Sequence, residues 1–272
     1  MSNASKFHVC RTADNRLQEF KRARVGVTTR LGPVGWWNPC LLHALHLSLG
    51  YLKVAKHKTK SVRHPKAIMS QEGSHAVLLA AGLSTRLGQP KALVNIAGRP
   101  AILWIYEHLQ AGGCTQIVVV VNEHIRSSVS EILPGAVLSV NPKPEHGRTG
   151  SLQCGLRTLA DSIEGTLGRV LMAPVDRPGF NSETVRTLMR SERSAAPSSD
   201  GSGGHPVLLD NKAIHQILRA PPNAPLRDLI QFQRVEMDLP WRHLNIDRPE
   251  DLEALNIHHD ALFSYFTASE GI

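Results

Sequence analysis

The apolar positions of this 272-residue chain keep no steady period before about residue 69 and a regular one from residue 75 onward. His75–Ala81 (HAVLLAA) is a continuous apolar run, the pattern of a central parallel strand covered on both faces. A glycine-containing loop and a helix over about 100–111 follow, with Ile102, Leu103, Ile105, Tyr106 and Leu109 on one face and Gly112-Gly113 as its stop. The same reading gives strands at 116–121, 137–140, 169–173, 206–209 and 234–238. It gives helices at 123–133, 151–162 and 182–193, then from 211, around 226–232 and from 249. The small polar stretch 194–204 (SAAPSSDGSGG) is expected to be a mobile loop. Strands alternating with helices predict an α/β domain, Rossmann-like, with a mostly parallel sheet and helices on both faces. Such a sheet receives ligands at the carboxyl ends of its strands.

Charge changes this picture only at the start of the chain. The sequence carries 31 Lys+Arg against 23 Asp+Glu, a formal +8, which by itself points to nucleic acid or another anionic partner. Residues 1–68 hold 13 of the basic residues and two acidic ones, Asp14 and Glu19, so +11 sits there and the remainder is at −3. The basic excess therefore belongs to an appendage. Its short apolar pieces lie among basic stretches such as Lys21–Arg24 and Lys56–Lys60, a composition that argues against independent folding. Two regions are expected: a basic, poorly patterned extension over 1–68 and the α/β domain over 69–272. Met69 reads as the natural start, with 1–68 as translated upstream sequence; the alternative is a genuine basic tail that binds nucleic acid or a partner. The best apolar stretch, Leu41–Ala55, contains His43, His46 and Lys53 and falls short of the roughly 20 apolar residues a spanning helix needs. The first thirty residues hold no leader-like apolar run. Cys10, Cys40, Cys114 and Cys154, with no C-x-x-C pair, read as free thiols of a reducing compartment, and the protein as cytoplasmic with no membrane partner.

Candidate chemistry gathers where strands end. The first strand runs into Leu79-Ala-Ala-Gly-Leu-Ser-Thr-Arg-Leu-Gly-Gln-Pro-Lys91. Gly82 and Gly88 permit backbone approaches that a Cβ would block, and exposed N–H groups in such a loop can cradle phosphate oxygens. Arg86 offers a bidentate fork and Lys91 a point charge. The spacing is neither G-x-G-x-x-G nor a Walker A loop. Taken singly, each residue is as well explained by a glycine turn with solvated cations. Asp176, between Pro174 and Pro178, is either a turn aspartate bonded to its own backbone or a hard oxygen ligand suited to Mg²⁺. Asp247, just before Pro249-Glu250, reads as a helix cap, a metal ligand or both. Ser151 is placed to cap the start of its helix. There is no G-x-S-x-G elbow and no Ser-His-Asp arrangement.

These residues fall into five ordered blocks. L-A-A-G-x-S-x-R-x-G-x-x-K over 79–91 resembles the signature of the MobA-like nucleotidyltransferases, most closely the MocA-like branch that includes molybdenum-cofactor cytidylyltransferases. Asn141-Pro-x-x-x-x-Gly147-x-x-x-Ser151-Leu-x-x-Gly155-Leu, Pro174-Val-Asp176-x-Pro178, Gly204-His205-Pro206-Val207 and Asn245-Ile-Asp247-x-Pro249-Glu-Asp-Leu252 resemble the family's later blocks, in the same order. The likeness covers roughly 75–257 and implies a nucleotide-diphospho-sugar transferase (GT-A-like) fold. It also implies Mg²⁺-dependent transfer of a nucleoside monophosphate from a nucleoside triphosphate to a small phosphorylated acceptor such as molybdopterin. On this resemblance Arg86, Lys91 and Asp176 are catalytic. Leu79, Ala80, Ala81, Gly82, Ser84, Gly88 and Ser151, with Arg86 and Lys91, meet the nucleotide. Asp176 and Asp247 hold Mg²⁺, and His205 is either a plain structural histidine or a contact to the acceptor. Ala-Ala-Gly rather than Ala-Gly-Gly favours CTP over GTP. Arg177 stands where many cofactor cytidylyltransferases have Gln, which keeps a sugar phosphate open as the alternative acceptor. The 194–204 loop is read as a lid that orders on binding, and a molybdoenzyme as an implied partner. A non-catalytic nucleotide-binding accessory protein is the rival from another class; retention of Arg86, Lys91 and Asp176 argues against it.

Overall fold

The computed structural model describes residues 74–268 apart from Glu164. The expected boundary at Met69 and the basic extension before it lie outside the described residues. In chain order the elements are β1 (His75–Leu79), the hairpin β2 (Asn95–Ile96) and β3 (Arg99–Pro100), α1 (Ala101–Ala111), β4 (Gln116–Val121), α2 (Arg126–Ile132), β5 (Val137–Val140), α3 (Gly147–Asp161) and β6 (Arg169–Pro174). They continue with α4 (Ser182–Met189), β7 (Ala195–Ser199), β8 (Ser202–Gly203), β9 (Val207–Asp210), α5 (Asn211–Arg219), α6 (Leu226–Leu229), β10 (Gln233–Glu236), α7 (Pro249–Ile257) and α8 (His259–Thr267). No described helix is long and apolar enough to cross a membrane.

One eight-stranded sheet runs in the order β10-β7-β9-β6-β1-β4-β5, with β8 paired to β7. β1 lies at its centre, parallel to β4 and β6, and β5 continues the parallel set beyond β4. β9 is antiparallel to both β6 and β7, and β10 is parallel to β7. The mostly parallel sheet expected from the sequence is what forms. Alternate residues along the strands feed two separate cores, as the two-residue period of a strand requires. Ala76, Leu78, Val119 and Leu171 face Ile102, Trp104, Ile105 and Phe266. Val77, Leu79, Val120 and Met172 face Leu152, Leu156 and Leu159 of α3 and Ile214 of α5.

The structure corrects several expected elements. The stretch 194–204 is no loop and no lid: Ala195, Ala196 and Ser198 are buried in β7, which pairs with β9 and β10 and turns through β8. Small polar residues look like a loop by composition, but paired between two strands they suit a tightly covered sheet. The helix expected from 151 begins at Gly147, so Ser151 is not its cap; its hydroxyl donates to the Gly147 carbonyl one turn back, 3.1 Å away. The helix over 123–133 opens as a 3₁₀ turn at Glu123–Ile125, capped by the Asn122 side chain. Two others are shorter than expected, at 182–189 and 226–229.

Among the described residues His108 is the one histidine sealed in the first core, 1% exposed, with neither ring nitrogen meeting a hydrogen-bond partner there. It lies among Trp104, Phe180 and Phe266, with ring centroids 5.3–6.3 Å away. Burial, and secondarily the Arg99 charge, holds its pKa down at about 4. An unfolded chain binds this proton below about pH 6.5, whereas the folded one resists it until about pH 4. Stability is therefore expected to fall by about 2–3 kcal/mol as the pH drops across that window. Urea unfolding at several pH values measures this, and His108→Leu is expected to flatten the slope.

Candidate active site

Four strand ends of the parallel set (β1, β4, β5 and β6) deliver their loops to one edge of the sheet, the edge where α/β folds receive ligands. After β6, Val175 N–H still donates to the Leu79 carbonyl at 2.9 Å, which lays the 175–178 turn beside the loop that leaves β1. The Asp176 carbonyl then accepts from Ile246 N–H at 3.0 Å, bringing in the segment that ends in Asp247. Backbone hydrogen bonds thus assemble three distant stretches of sequence around one cleft of about 280 Å³.

The β1 loop is fastened from within. Ser84 takes the left-handed conformation (φ 55°), accepts backbone N–H groups from Leu87 and Gly88 at its carbonyl, and accepts Lys91 N–H at its hydroxyl, 3.1 Å away. Gly88, at φ 77°, uses the freedom only glycine has cheaply. Asn122, at the end of β4, donates to the carbonyls of Ala81 and Gly82 and ties the loop to the sheet. Leu79, Ala81, Gly82, Ser84, Arg86 and Lys91 line the cleft. Ala80 does not: it is 3% exposed and points into the opposite core. Gly88 shapes the turn without lining the cleft.

Charges of both signs converge here. Arg86 Nη1 lies 2.6 Å from one oxygen of Asp247 and Lys91 Nζ 2.8 Å from the other. Lys91 Nζ is also 3.8 Å from Asp176, so a single ammonium sits between the two carboxylates. The hydrogen bond from Lys91, helped by Arg86, holds the Asp247 carboxyl below its usual range. Neither aspartate serves its own backbone. The N-cap of α7 is Arg248, and Asp251 in the first turn closes the capping box, its carboxylate accepting the N–H groups of Asp247 and Arg248 at 2.7 and 2.9 Å. Asp176 meets Lys91 and Arg148, the latter at 3.9 Å.

Arg148 is a site residue that the sequence reading missed. It stands in the first turn of α3, and the signal was there: a basic residue directly after Gly147, which reaches the cleft at φ 85°. Ser151, one turn further along α3, lines the cleft and accepts a hydrogen bond from Asn141 at 2.9 Å. His205 lies elsewhere, in a neighbouring cavity with Arg177 and Arg242.

Among the described residues no group of three or more His, Cys, Asp or Glu converges. Two carboxylates flanking a phosphate-sized cleft fit a hard divalent cation, which takes one or two carboxylates and completes its shell with substrate phosphates and water.

A mostly parallel sheet, a glycine-containing first loop, convergent cations and two neighbouring carboxylates together describe an α/β domain with one charged cleft at its strand ends. The MobA-like NTP transferase domain matches residues 76–237, and the chain belongs to that family; by class it is a nucleotidyltransferase. It is 34% identical over 146 residues to nicotine blue oxidoreductase of Paenarthrobacter nicotinovorans, covering 49% of this chain and 69% of that protein. It is 24% identical over 193 residues to a probable molybdenum cofactor guanylyltransferase of Bacillus licheniformis, covering 66% and 94%. It is 33% identical over 125 residues to 2-C-methyl-D-erythritol 4-phosphate cytidylyltransferase of Rhodococcus opacus, covering 45% of this chain and 54% of that protein, about half its length. A solved nucleotidyl transferase from Methanothermobacter thermautotroptrophicus superposes with a TM-score of 0.57 at 20% identity, over 70% of this chain and 99% of that one. The shared architecture is the nucleotide-diphospho-sugar transferase fold.

Proposed function

We propose that the chain transfers a nucleoside monophosphate, with CTP as the preferred donor, to a phosphorylated acceptor such as molybdopterin. An acceptor phosphate oxygen attacks the α-phosphorus, the bond to the bridging oxygen breaks, and pyrophosphate leaves. The observation that carries this reading is the meeting of Arg86, Lys91, Asp176 and Asp247, drawn from three segments, in one cleft. Arg86 and Lys91 present N–H donors to the triphosphate, Arg86 as a planar fork and Lys91 as a point charge. Backbone of the Leu79–Gly82 stretch packs beside the base and α-phosphate, and Ser151, oriented by Asn141, offers its hydroxyl to the nucleotide. Asp176 and Asp247 are the residues that would hold Mg²⁺, which when bound neutralises phosphate charge during transfer. The protein's own work is to align two anions and surround them with fixed donors.

CTP is favoured by the Ala80-Ala81-Gly82 form of the loop, and a relative named a cytidylyltransferase is consistent with it. A sugar phosphate is the alternative acceptor. The test is pyrophosphate release from the full chain with Mg²⁺ and each of CTP, GTP, ATP and UTP, against molybdopterin and a panel of sugar phosphates. Release is expected with CTP and molybdopterin. Release with a sugar phosphate alone would keep the mechanism and change the acceptor. Nucleotide binding without release from any pair would overturn transfer and favour a non-catalytic role or the chemistry of the relative named an oxidoreductase.

A further inference from the structure

A second cavity, of about 190 Å³, opens next to the cleft, and it is lined by two arginines, Arg177 and Arg242, with His205, Gly203 and Gly204. Among the described residues no carboxylate lines it. Nδ1 of His205 and Nε of Arg242 are both buried without a hydrogen-bond partner among the described residues, which is costly for groups of this kind and calls for a ligand or a reason. The cavity is held in shape by close backbone approaches. A Cβ at Gly179 would lie 1.8 Å from the Trp241 carbonyl oxygen, so the turn carrying Arg177 is pressed against the segment carrying Arg242. A Cβ at Gly204 would stand 3.4 Å from Arg242 Cγ, so that arginine's stem rests on the glycine backbone.

The chemistry of these walls is one-sided. Guanidinium groups donate and never accept. Burial first, then the charges of Arg148 and Arg177, pushes the His205 pKa down to about 3, so the imidazole is neutral and the arginines supply the positive charge. A small oxyanion is the ligand such a set complements. Location ties the cavity to the first site: Arg177 is the residue after Asp176, and Arg148 lies 3.9 Å from Asp176 while its charge also acts on His205.

Resting on the transfer reading, we propose that Arg177, His205 and Arg242 form a second anion site that takes an anionic group of the acceptor distinct from its reacting phosphate. The acceptor on this account is at least doubly anionic, with one anionic group seated on each side of Asp176.

Binding of inorganic phosphate and of acetate to the full chain tests this without any turnover. Each is titrated by calorimetry against the wild type, against Arg177→Gln/Arg242→Gln and against Arg86→Gln/Lys91→Gln, with CTP titrated alongside. The Arg177/Arg242 variant is expected to lose about tenfold in oxyanion affinity and to keep its CTP affinity within about twofold. The Arg86/Lys91 variant is expected to show the opposite. Unchanged oxyanion binding in the Arg177/Arg242 variant would overturn the proposal, as would a parallel loss of CTP affinity or no oxyanion binding by the wild type. If the double variant does not fold, the half-buried Arg177→Gln alone is expected to weaken oxyanion binding by about fivefold. Failure of pyrophosphate release in the earlier assay would remove the acceptor from this account but leave the anion result standing, so the two failures are distinguishable.

Discussion

Asp176→Asn is expected to lower pyrophosphate release by about three orders of magnitude while leaving folding stability within about 0.5 kcal/mol. The two halves of that expectation come from the same geometry. Its carboxylate is held by no backbone group; it meets Lys91 and Arg148 at 3.8 and 3.9 Å, and about a quarter of its side-chain surface is exposed. Ion pairs that long and that wet contribute little to stability. Catalysis differs, because the isosteric amide keeps the shape but removes the charge a hard cation needs. Initial rates with CTP across a Mg²⁺ series, together with a urea unfolding curve, check both parts. Wild-type rates in the variant would remove Asp176 from the metal site. A collapsed unfolding midpoint with lost activity would recast Asp176 as a structural residue.

Asp247 differs from Asp176 in its partners. Both of its oxygens are taken, one by Arg86 and one by Lys91, the donors that a triphosphate would engage. The two cations differ in what it takes to redirect them. The Arg86 side chain is 69% exposed, so its 2.6 Å contact is cheap to exchange for a phosphate oxygen. Lys91 is 14% exposed and placed between two carboxylates, so it can hold a phosphate without leaving its seat. If a triphosphate drew Arg86 away while Lys91 stayed, one Asp247 oxygen would be freed as phosphate oxygens came to lie beside Asp176. Nucleotide and cation are expected to bind with mutual reinforcement rather than independently.

Most of the parallel framework was legible because β1, β4 and β6 are buried on both faces, which writes continuous apolar runs into the sequence. The β1 loop was legible for a different reason: glycines, cations and a lysine at fixed spacing have few uses in one loop. What escaped depends on contacts between distant residues. β7 is built from Ala, Pro and Ser, and nothing local distinguishes it from a loop until β9 and β10 flank it. Asp247 looked like a cap because its local sequence permits that, but the N-cap is the next residue, Arg248, and Asp251 closes the capping box behind it. Arg148 was missed because the helix start at Gly147 rests on a positive φ rather than on a capping side chain. Ala80 was over-assigned because a loop motif does not say where the strand's alternation ends; that residue still obeys β1's period and turns into the core.

That alternation also sets how closely α3 lies on the sheet, and Gly155→Ala is expected to destabilise the protein by about 3 kcal/mol. In a helix interior alanine should be better than glycine by about 1 kcal/mol, so local propensity predicts the opposite sign. Packing decides against it. A Cβ at Gly155 would fall 2.4 Å from Val77 Cγ1 and 2.7 Å from Val120 Cγ2. Both neighbours are β-branched strand residues with no exposure, so neither has another rotamer to escape into. The helix must lift instead, and it carries Ser151 and Arg148 away from the cleft as it does. Urea unfolding reads the stability, and CTP affinity reads the displacement. The diagnostic is the pair Gly155→Ala/Val77→Ala: removing the Val77 methyls opens room for the new Cβ, so the double variant is expected to lose less than the two single losses combined. A rise in stability for Gly155→Ala alone would mean that α3 stands off the sheet. Strict additivity would mean that the cost comes from elsewhere than the contact with Val77.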